Sequence, residues 1–240
     1  RMLHDNGLEA GIYAAAFRLL DAVNQFGYLF ATLLLPLFAA MIRRNESVKQ
    51  LVRFSSELMF AGSVAVGLGC YFYRAEIMNL LYHRNDVYWS TIFGWLMLNF
   101  IPMSSVYVFG TLLTAKGSLK ALNLIAVLGV VVNVALNLYL IPRYGALGAA
   151  WATFVTQLIA AGAHIYVAQR QFPLQYQLSD LLKVSGFCVI TLAVLLGLQY
   201  SPLQWYINLS VALGAAAVAA FALRIVPIGQ VVELVKSRQR

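Results

Sequence analysis

Charged residues are scarce in this 240-residue chain, at 11% of the sequence against about a quarter in a typical soluble domain. Its two cysteines, Cys70 and Cys188, lie in separate apolar stretches, which favours small core residues over a disulfide or a metal pair. The three histidines show no ligand spacing such as HExxH, and no nucleotide-binding loop, nucleophile elbow or paired carboxylates occur. We therefore expect no enzyme activity, no catalytic residues, no metal and no cofactor.

Apolar residues dominate instead, with 61% of the chain hydrophobic and a mean hydropathy of +0.76. They fall in blocks of roughly 20 residues, about the length a helix needs to cross a 30 Å hydrocarbon layer. The sequence thus predicts an all-α integral membrane protein with a bundle of about seven transmembrane helices. The predicted segments are 11–42, 54–73, 87–115, 121–141, 146–169, 181–200 and 203–226.

The net charge of +8 comes from basic residues beside the ends of these segments, where the positive-inside rule explains them without a nucleic-acid partner. If seven segments cross the membrane, alternate loops share a side, and the two sides hold twelve and four basic residues. The twelve predict the cytoplasmic side, with an external N-terminus and a cytoplasmic C-terminus. They are Arg43, Arg44, Lys49, Arg53, Lys116, Lys120, Arg170, Lys183, Arg224, Lys236, Arg238 and Arg240; the four are Arg1, Arg74, Arg84 and Arg143.

A polar stripe runs along the first segment. At 100° per residue, Arg18, Asp21, Gln25, Tyr28 and Thr32 fall within an arc of about 80°. A charge near the bilayer centre costs about 2.5–3.5 kcal/mol on insertion scales, so such a stripe faces protein or water. We predict that these five residues line a cavity and bind substrate, with Arg18 offering a cation to an anionic group. The alternative is a local ion pair, because Arg18 and Asp21 are spaced i, i+3.

Further polar side chains lie in later segments. Asn133 and Asn137 are four residues apart and so share a helix face, and Gln157 belongs to a ridge of small and polar residues in the fifth segment. Amides in such positions bond neighbouring helices, which predicts helix packing, with cavity lining as the alternative. Asn99 and Pro102 predict a bend in the third segment, because proline leaves a backbone carbonyl unpaired.

Several motifs resemble those of a known family. The stretch 11–19, GIYAAAFRL, resembles the "GxYsaAyrl" stretch of polysaccharide exporters and lipid-linked oligosaccharide flippases, and Pro36 closes that helix as theirs does. The run GTLLTAKG at 110–117 also fits. The clearest match is 133–153, NVALNLYLIPRYGALGAAWAT, which resembles the family's "NxxLNxxLIPxxGxxGAAxAT" signature. Together these stretches identify the chain as resembling the multidrug, oligosaccharidyl-lipid and polysaccharide exporter superfamily.

The resemblance implies two lobes of helices around a central cavity, with this chain as the C-terminal lobe, helices eight to fourteen. Because its first residues, RMLHD, do not resemble a start, we expect a missing N-terminal lobe. The implied function is translocation of a polyprenyl-pyrophosphate-linked oligosaccharide, a precursor of O-antigen, capsule or exopolysaccharide, across the bacterial inner membrane by alternating access. The implied partners are that lipid-linked oligosaccharide, the bilayer and the missing lobe.

Two other functions stay open on the sequence alone. A drug or cation antiporter of the same superfamily would need acidic cavity residues, of which this stripe has only Asp21. A membrane-embedded glycan polymerase or ligase would need titratable groups on a large outer loop. The longest outer connection, 74–86, has no paired acids or nucleophile, so this function ranks last.

Overall fold

The computed structural model describes residues 8–83, 86–174, 178–223 and 225, and within them the regular structure is entirely helical. The all-α prediction is therefore confirmed. The helices are α1 (Leu8–Arg43), α2 (Lys49–Phe72), α3 (Arg74–Tyr82), α4 (Val87–Leu98), α5 (Phe100–Ser105), a π-helical turn (Val106–Gly110), α6 (Thr111–Ala115), α7 (Leu119–Gln171), α8 (Leu178–Leu198) and α9 (Trp205–Ala222).

Five helical stretches of the described chain are long and apolar enough to cross a membrane: Ala10–Arg43, Lys49–Phe72, Val87–Ala115, Leu119–Gln171 and Trp205–Ala222. Leu182–Leu198 is a shorter apolar helix. The 53-residue α7 is not one rod, because Gly145 interrupts it with φ 57° and ψ −136°. When its two arms are counted separately, the described chain holds seven apolar helical segments. The part of the predicted segment 203–226 beyond Leu223, apart from Ile225, lies outside the described residues.

Gly145 folds α7 into an antiparallel hairpin. A positive φ combined with this ψ is open essentially to glycine alone, so the turn depends on that residue. The arms then pack closely: a Cβ on Gly148 would lie 2.5 Å from the carbonyl oxygen of Leu140. Further along, Asn133 Nδ2 donates to Thr156 Oγ1 at 3.3 Å. The structure thus turns the chain between the segments predicted at 121–141 and 146–169.

The third apolar stretch departs from regular α-helix twice. The first departure is at Asn99, where the Pro102 ring can supply no N–H to the preceding turn, and Asn99 Nδ2 donates to the carbonyl of Trp95 at 3.1 Å. This interruption lies where the sequence predicted a bend. The second is the π-helical turn Val106–Gly110, after which the Thr111 hydroxyl donates to the Tyr107 carbonyl at 2.5 Å. Nothing in the sequence pattern predicted this π-helical turn.

The short helix α3 lies within 74–86, which the sequence predicts to be a connection between membrane segments. It follows α2 directly and ends at His83, whose φ is 54°. We call the end of the bundle that holds α3 and Gly145 the Gly145 end, and the opposite end the Arg43 end. Among the described residues, Arg74 and Arg143 lie at the Gly145 end. The Arg43 end holds Arg43, Arg44, Lys49, Arg53, Lys116, Lys120, Arg170 and Lys183.

Helix α1 lies at one side of the bundle. Its residues Ile12, Ala16 and Leu20 pack in one cluster with Phe93 and Leu96 of α4. Towards the Arg43 end, Leu34 and Phe38 lie in a second cluster with residues of the π-helical turn and α6. Helices α8 and α9 instead pack with each other and with α2. One face of α1 is therefore buried against the bundle, and the opposite face is uncovered.

Candidate substrate-binding face

The uncovered face of α1 carries the predicted polar stripe. The buried residues of this helix, Gly27 included, recur at three-, four- and seven-residue spacing, as expected for one helix face. All five stripe residues lie on the other side and are exposed, Tyr28 by 56%. The structure therefore places them together along one open surface, which we call the polar strip: Arg18, Asp21, Gln25, Tyr28 and Thr32.

Arg18 is unpaired within the described chain. It forms no ion pair with Asp21, although the two are spaced i, i+3, and no hydrogen bond to any described residue. The sequence left a local Arg18–Asp21 pair open as an alternative, and the structure does not form it. An exposed guanidinium without a carboxylate attracts anions from outside the helix bundle.

An apolar strip adjoins the polar strip. Phe26, Leu29 and Leu33 are exposed by 73%, 51% and 67%, and at 100° per residue they occupy the arc immediately beside that of Arg18. Exposed aliphatic and aromatic side chains of a membrane helix are suited to acyl or isoprenoid chains. The open face of α1 thus offers a hydrophilic and a hydrophobic track side by side.

Two tyrosines support α1 from behind this face. The Tyr107 ring lies against Gly27, where even a Cβ would collide with it, so the glycine lets the π-helical turn approach α1 closely. Tyr13 Oη and Thr153 Oγ1 are 3.2 Å apart, which joins α1 to the second arm of α7. Neither Tyr107 nor Tyr13 was predicted from the sequence, because neither lies on the polar arc of the first segment.

The amides of α7 form a separate group. Asn137 Nδ2 donates to Asn133 Oδ1 at 2.8 Å, and Asn133 donates on to Thr156 in the opposite arm. Gln157 lines a groove of about 390 Å³ between the arms, and every lining residue of that groove belongs to α7. The structure therefore gives Asn133 and Asn137 contacts within the hairpin, and the groove lined by Asn133 and Gln157 includes no residue of the polar strip.

A charged cluster at the Arg43 end was missed by sequence reasoning. Arg53 donates from Nε to Glu57 Oε1 at 3.1 Å and from Nη2 to Asp180 Oδ1, which ties α2 to the start of α8. The carboxylate side chains are only 10% and 7% exposed, so the arginine compensates two buried charges. The only local signal was the i, i+4 spacing of Arg53 and Glu57, since Asp180 is 127 residues away from Arg53.

Comparison with known proteins decides the family. Residues 5–228 match the sequence profile of the family described as lipid II flippase MurJ. The chain belongs to this family. MurJ-family proteins are transporters, so the expectation that this chain is not an enzyme is confirmed. The match also agrees with the resemblance to flippases of lipid-linked precursors, although the matching profile is that of MurJ and not of a polysaccharide exporter.

Two curated relatives extend the MurJ-family match. Proteins named lipid III flippase from Escherichia coli strain K12 and from Shigella flexneri are each 27% identical to the chain over 152 residues. The match covers 63% of this chain and 36% of each relative, so the chain spans about a third of the length of those proteins. Helical segments and family together establish a multi-pass membrane protein of a lipid-linked-precursor flippase family.

Proposed function

We propose that this chain belongs to a flippase that moves a polyprenyl-pyrophosphate-linked oligosaccharide across the bacterial inner membrane by alternating access. In this proposal the chain is the C-terminal lobe, and an N-terminal lobe faces the open side of α1. The observation that carries it is the unpaired, exposed Arg18 on the polar strip. A cavity between two lobes is where transporters of this design bind their substrates.

The chemistry of the polar strip suits a pyrophosphate with a sugar attached. A guanidinium donates paired hydrogen bonds to phosphate oxygens, and the interaction strengthens where water is partly excluded. Tyr28 and Gln25 can donate to phosphate or sugar oxygens. Asp21 can accept from sugar hydroxyls, as can Thr32, whose own hydroxyl donates to the Leu29 carbonyl at 2.7 Å.

The adjoining apolar strip supports a lipid-linked substrate over a soluble one. A headgroup bound at Arg18 would leave its isoprenoid chain beside Phe26, Leu29 and Leu33, which are exposed on the neighbouring arc. A hydrophilic solute would make no use of this second track. O-antigen, capsule and exopolysaccharide precursors all have the required chemistry, and the names of the family and its relatives add lipid II and lipid III as candidates.

The drug or cation antiporter is the second candidate, and the polar strip supports it less. Asp21 is the one acidic residue of the strip, and the unpaired Arg18 one turn away repels a cationic drug. Binding of a cationic dye, measured alongside the lipid binding described below, therefore distinguishes the two functions. Dye binding that depends on Asp21, without binding of the pyrophosphate lipid, would favour the antiporter.

The test measures binding of polyprenyl pyrophosphate and polyprenyl monophosphate to the full-length protein in nanodiscs. We expect Arg18→Ala to weaken binding of the pyrophosphate by about ten- to hundredfold, because a charge-assisted hydrogen bond contributes about 1.5–3 kcal/mol. Arg18→Lys should lose less, since it keeps the charge. Arg44→Ala is the matched control, because Arg44 is exposed at the Arg43 end of the bundle. Equal affinity of the Arg18→Ala and Arg44→Ala proteins would refute the role of Arg18.

A further inference from the structure

Besides the groove between the arms of α7, the structure has a second polar cavity. It lies at the Gly145 end, where α2 meets α3 and where α8 ends and α9 begins. It has a volume of about 380 Å³, and neither α1 nor α7 contributes to its lining. It is thus separate from the polar strip. The lining residues are Phe72, Tyr73, Glu76, Leu198, Gln199, Ser201, Leu203, Trp205 and Asn208.

Two of the lining side chains carry buried oxygen atoms without a partner among the described residues. Tyr73 is 5% exposed and its hydroxyl is unpaired; Asn208 is 4% exposed and its Oδ1 is unpaired. The Asn208 Nδ2 donates to the carbonyls of Leu198 and Leu203 at 3.2 and 3.3 Å, which fixes the amide with its oxygen free to accept. Buried polar atoms are normally paired, so an unpaired oxygen on each of two residues that line one cavity indicates a donor or cation that the described residues do not supply.

The cavity is also electrostatically one-sided. Glu76 supplies a carboxylate, while none of the described lysine, arginine or histidine residues lines the cavity. The neutral Tyr73 hydroxyl can accept a hydrogen bond or coordinate a cation through its oxygen lone pairs. The half-buried indole of Trp205 adds a π-face of the kind that attracts cations.

We propose that this cavity binds a cationic group through Glu76, Tyr73 and Asn208. Carboxylate, amide and hydroxyl oxygens are the ligands that hard metal cations prefer, and the same oxygens accept hydrogen bonds from a primary ammonium. The cavity is much larger than a bare ion. It therefore holds either the ammonium of a lipid headgroup such as ethanolamine or a metal cation with its water. A charge preference opposite to that of Arg18 makes this a site distinct from the proposed pyrophosphate site.

The experiment measures thermal unfolding and native mass spectra of the full-length protein with four probes. Short-chain phosphatidylethanolamine tests the lipid ammonium, phosphatidylglycerol is its control without an ammonium, and calcium and sodium chloride test the metal cations. We expect either the ethanolamine lipid or one of the two salts to bind and to raise the unfolding temperature. Phosphatidylglycerol should do neither, and the probe that binds identifies the source of the cation.

Variants assign the effect to the cavity. Glu76→Gln should weaken binding by at least about tenfold, because it removes the charge at constant size. Tyr73→Phe should weaken it less, and this variant should fold normally because the hydroxyl has no partner to lose. Glu46→Gln, at an exposed carboxylate near the Arg43 end, is the matched control and should bind as the unaltered protein does.

Three results would overturn the proposal: no binding of any cationic probe, equal binding of phosphatidylglycerol and phosphatidylethanolamine, or full affinity in both the Glu76→Gln and Tyr73→Phe proteins. The Arg18→Ala protein should keep its cation binding. A result that refutes cation binding in this cavity can therefore be distinguished from a result that refutes pyrophosphate binding at Arg18.

Discussion

Replacement of Gly148 by alanine tests how closely the two arms of α7 pack. The added Cβ would lie 2.5 Å from the Leu140 oxygen and 2.7 Å from its carbonyl carbon, whereas ordinary contact begins at 3.4 Å. The obstacle is backbone, which cannot rotate away as a side chain can. The arms must therefore part by about 0.9 Å near the turn, the difference between 3.4 and 2.5 Å.

Three contributions set the expected size of the effect. Overpacking a close contact costs about 1–3 kcal/mol. Separation of the arms stretches the 3.3 Å bond between Asn133 and Thr156, and an interhelical bond in a membrane contributes about 0.6 kcal/mol. Alanine is favoured over glycine within a helix by about 0.5–1 kcal/mol, which offsets part of the loss. We expect Gly148→Ala to lower the free energy of unfolding by about 1–3 kcal/mol.

The assay is reversible unfolding in mixed detergent micelles, with Gly162→Ala as the matched control. Gly162 lies in the same arm, and its added Cβ would meet no atom within 4 Å, so this variant should be unchanged or slightly stabilised. A Gly148→Ala protein as stable as the Gly162→Ala protein would show that the arms do not pack as closely as described.

Two further predictions concern polar contacts between helices. Arg53→Ala should lower the free energy of unfolding by about 3 kcal/mol, because it leaves two buried carboxylates without their arginine. Arg44→Ala removes an exposed ion pair and should lower it by less than about 1 kcal/mol. Chemical unfolding of the two proteins in parallel measures the difference, and similar losses would contradict the role given to the buried cluster. Asn133→Ala should lower the free energy of unfolding by about 1 kcal/mol. In a double-mutant cycle with Thr156→Val, the interaction free energy between the two side chains should be about 0.6 kcal/mol. Additive losses of stability would show that the hydrogen bond between the arms contributes nothing.

Much of the helical framework could be predicted because membrane insertion depends on local hydrophobicity. Long apolar blocks must form helices in a bilayer, where backbone groups find no water to bond. The gap between the predicted segments 121–141 and 146–169 placed the turn between the arms of α7, where Pro142 removes a backbone N–H and Gly145 permits a positive φ. The helical period likewise placed Arg18 and its companions on one face, because that placement depends only on the spacing of residues along a single helix.

Features that depend on distant parts of the chain could not be predicted in this way. The Arg53–Asp180 contact joins residues 127 positions apart, and nothing near either residue indicates the other. The approach of Tyr107 to Gly27 depends on how α1 packs against the third apolar stretch. The second polar cavity is also assembled from two chain segments far apart in sequence, 72–76 and 198–208, so its residues show no common spacing. Helix α3 was missed because its nine residues are too few and too mixed to show an apolar block.

The π-helical turn at Val106–Gly110 is a place where this protein can change its length over evolution. A π-helical turn holds about one residue more than an α-helical turn at nearly the same total rotation and rise, so removing a single residue here would restore regular α-helix without turning the helix that follows. Leu112 and Leu113, both fully buried, would then stay in the core, whereas a deletion in the regular turns beside them would rotate them away from it by about 100°. Among homologues, single-residue deletions in this apolar stretch should therefore fall within Val106–Gly110.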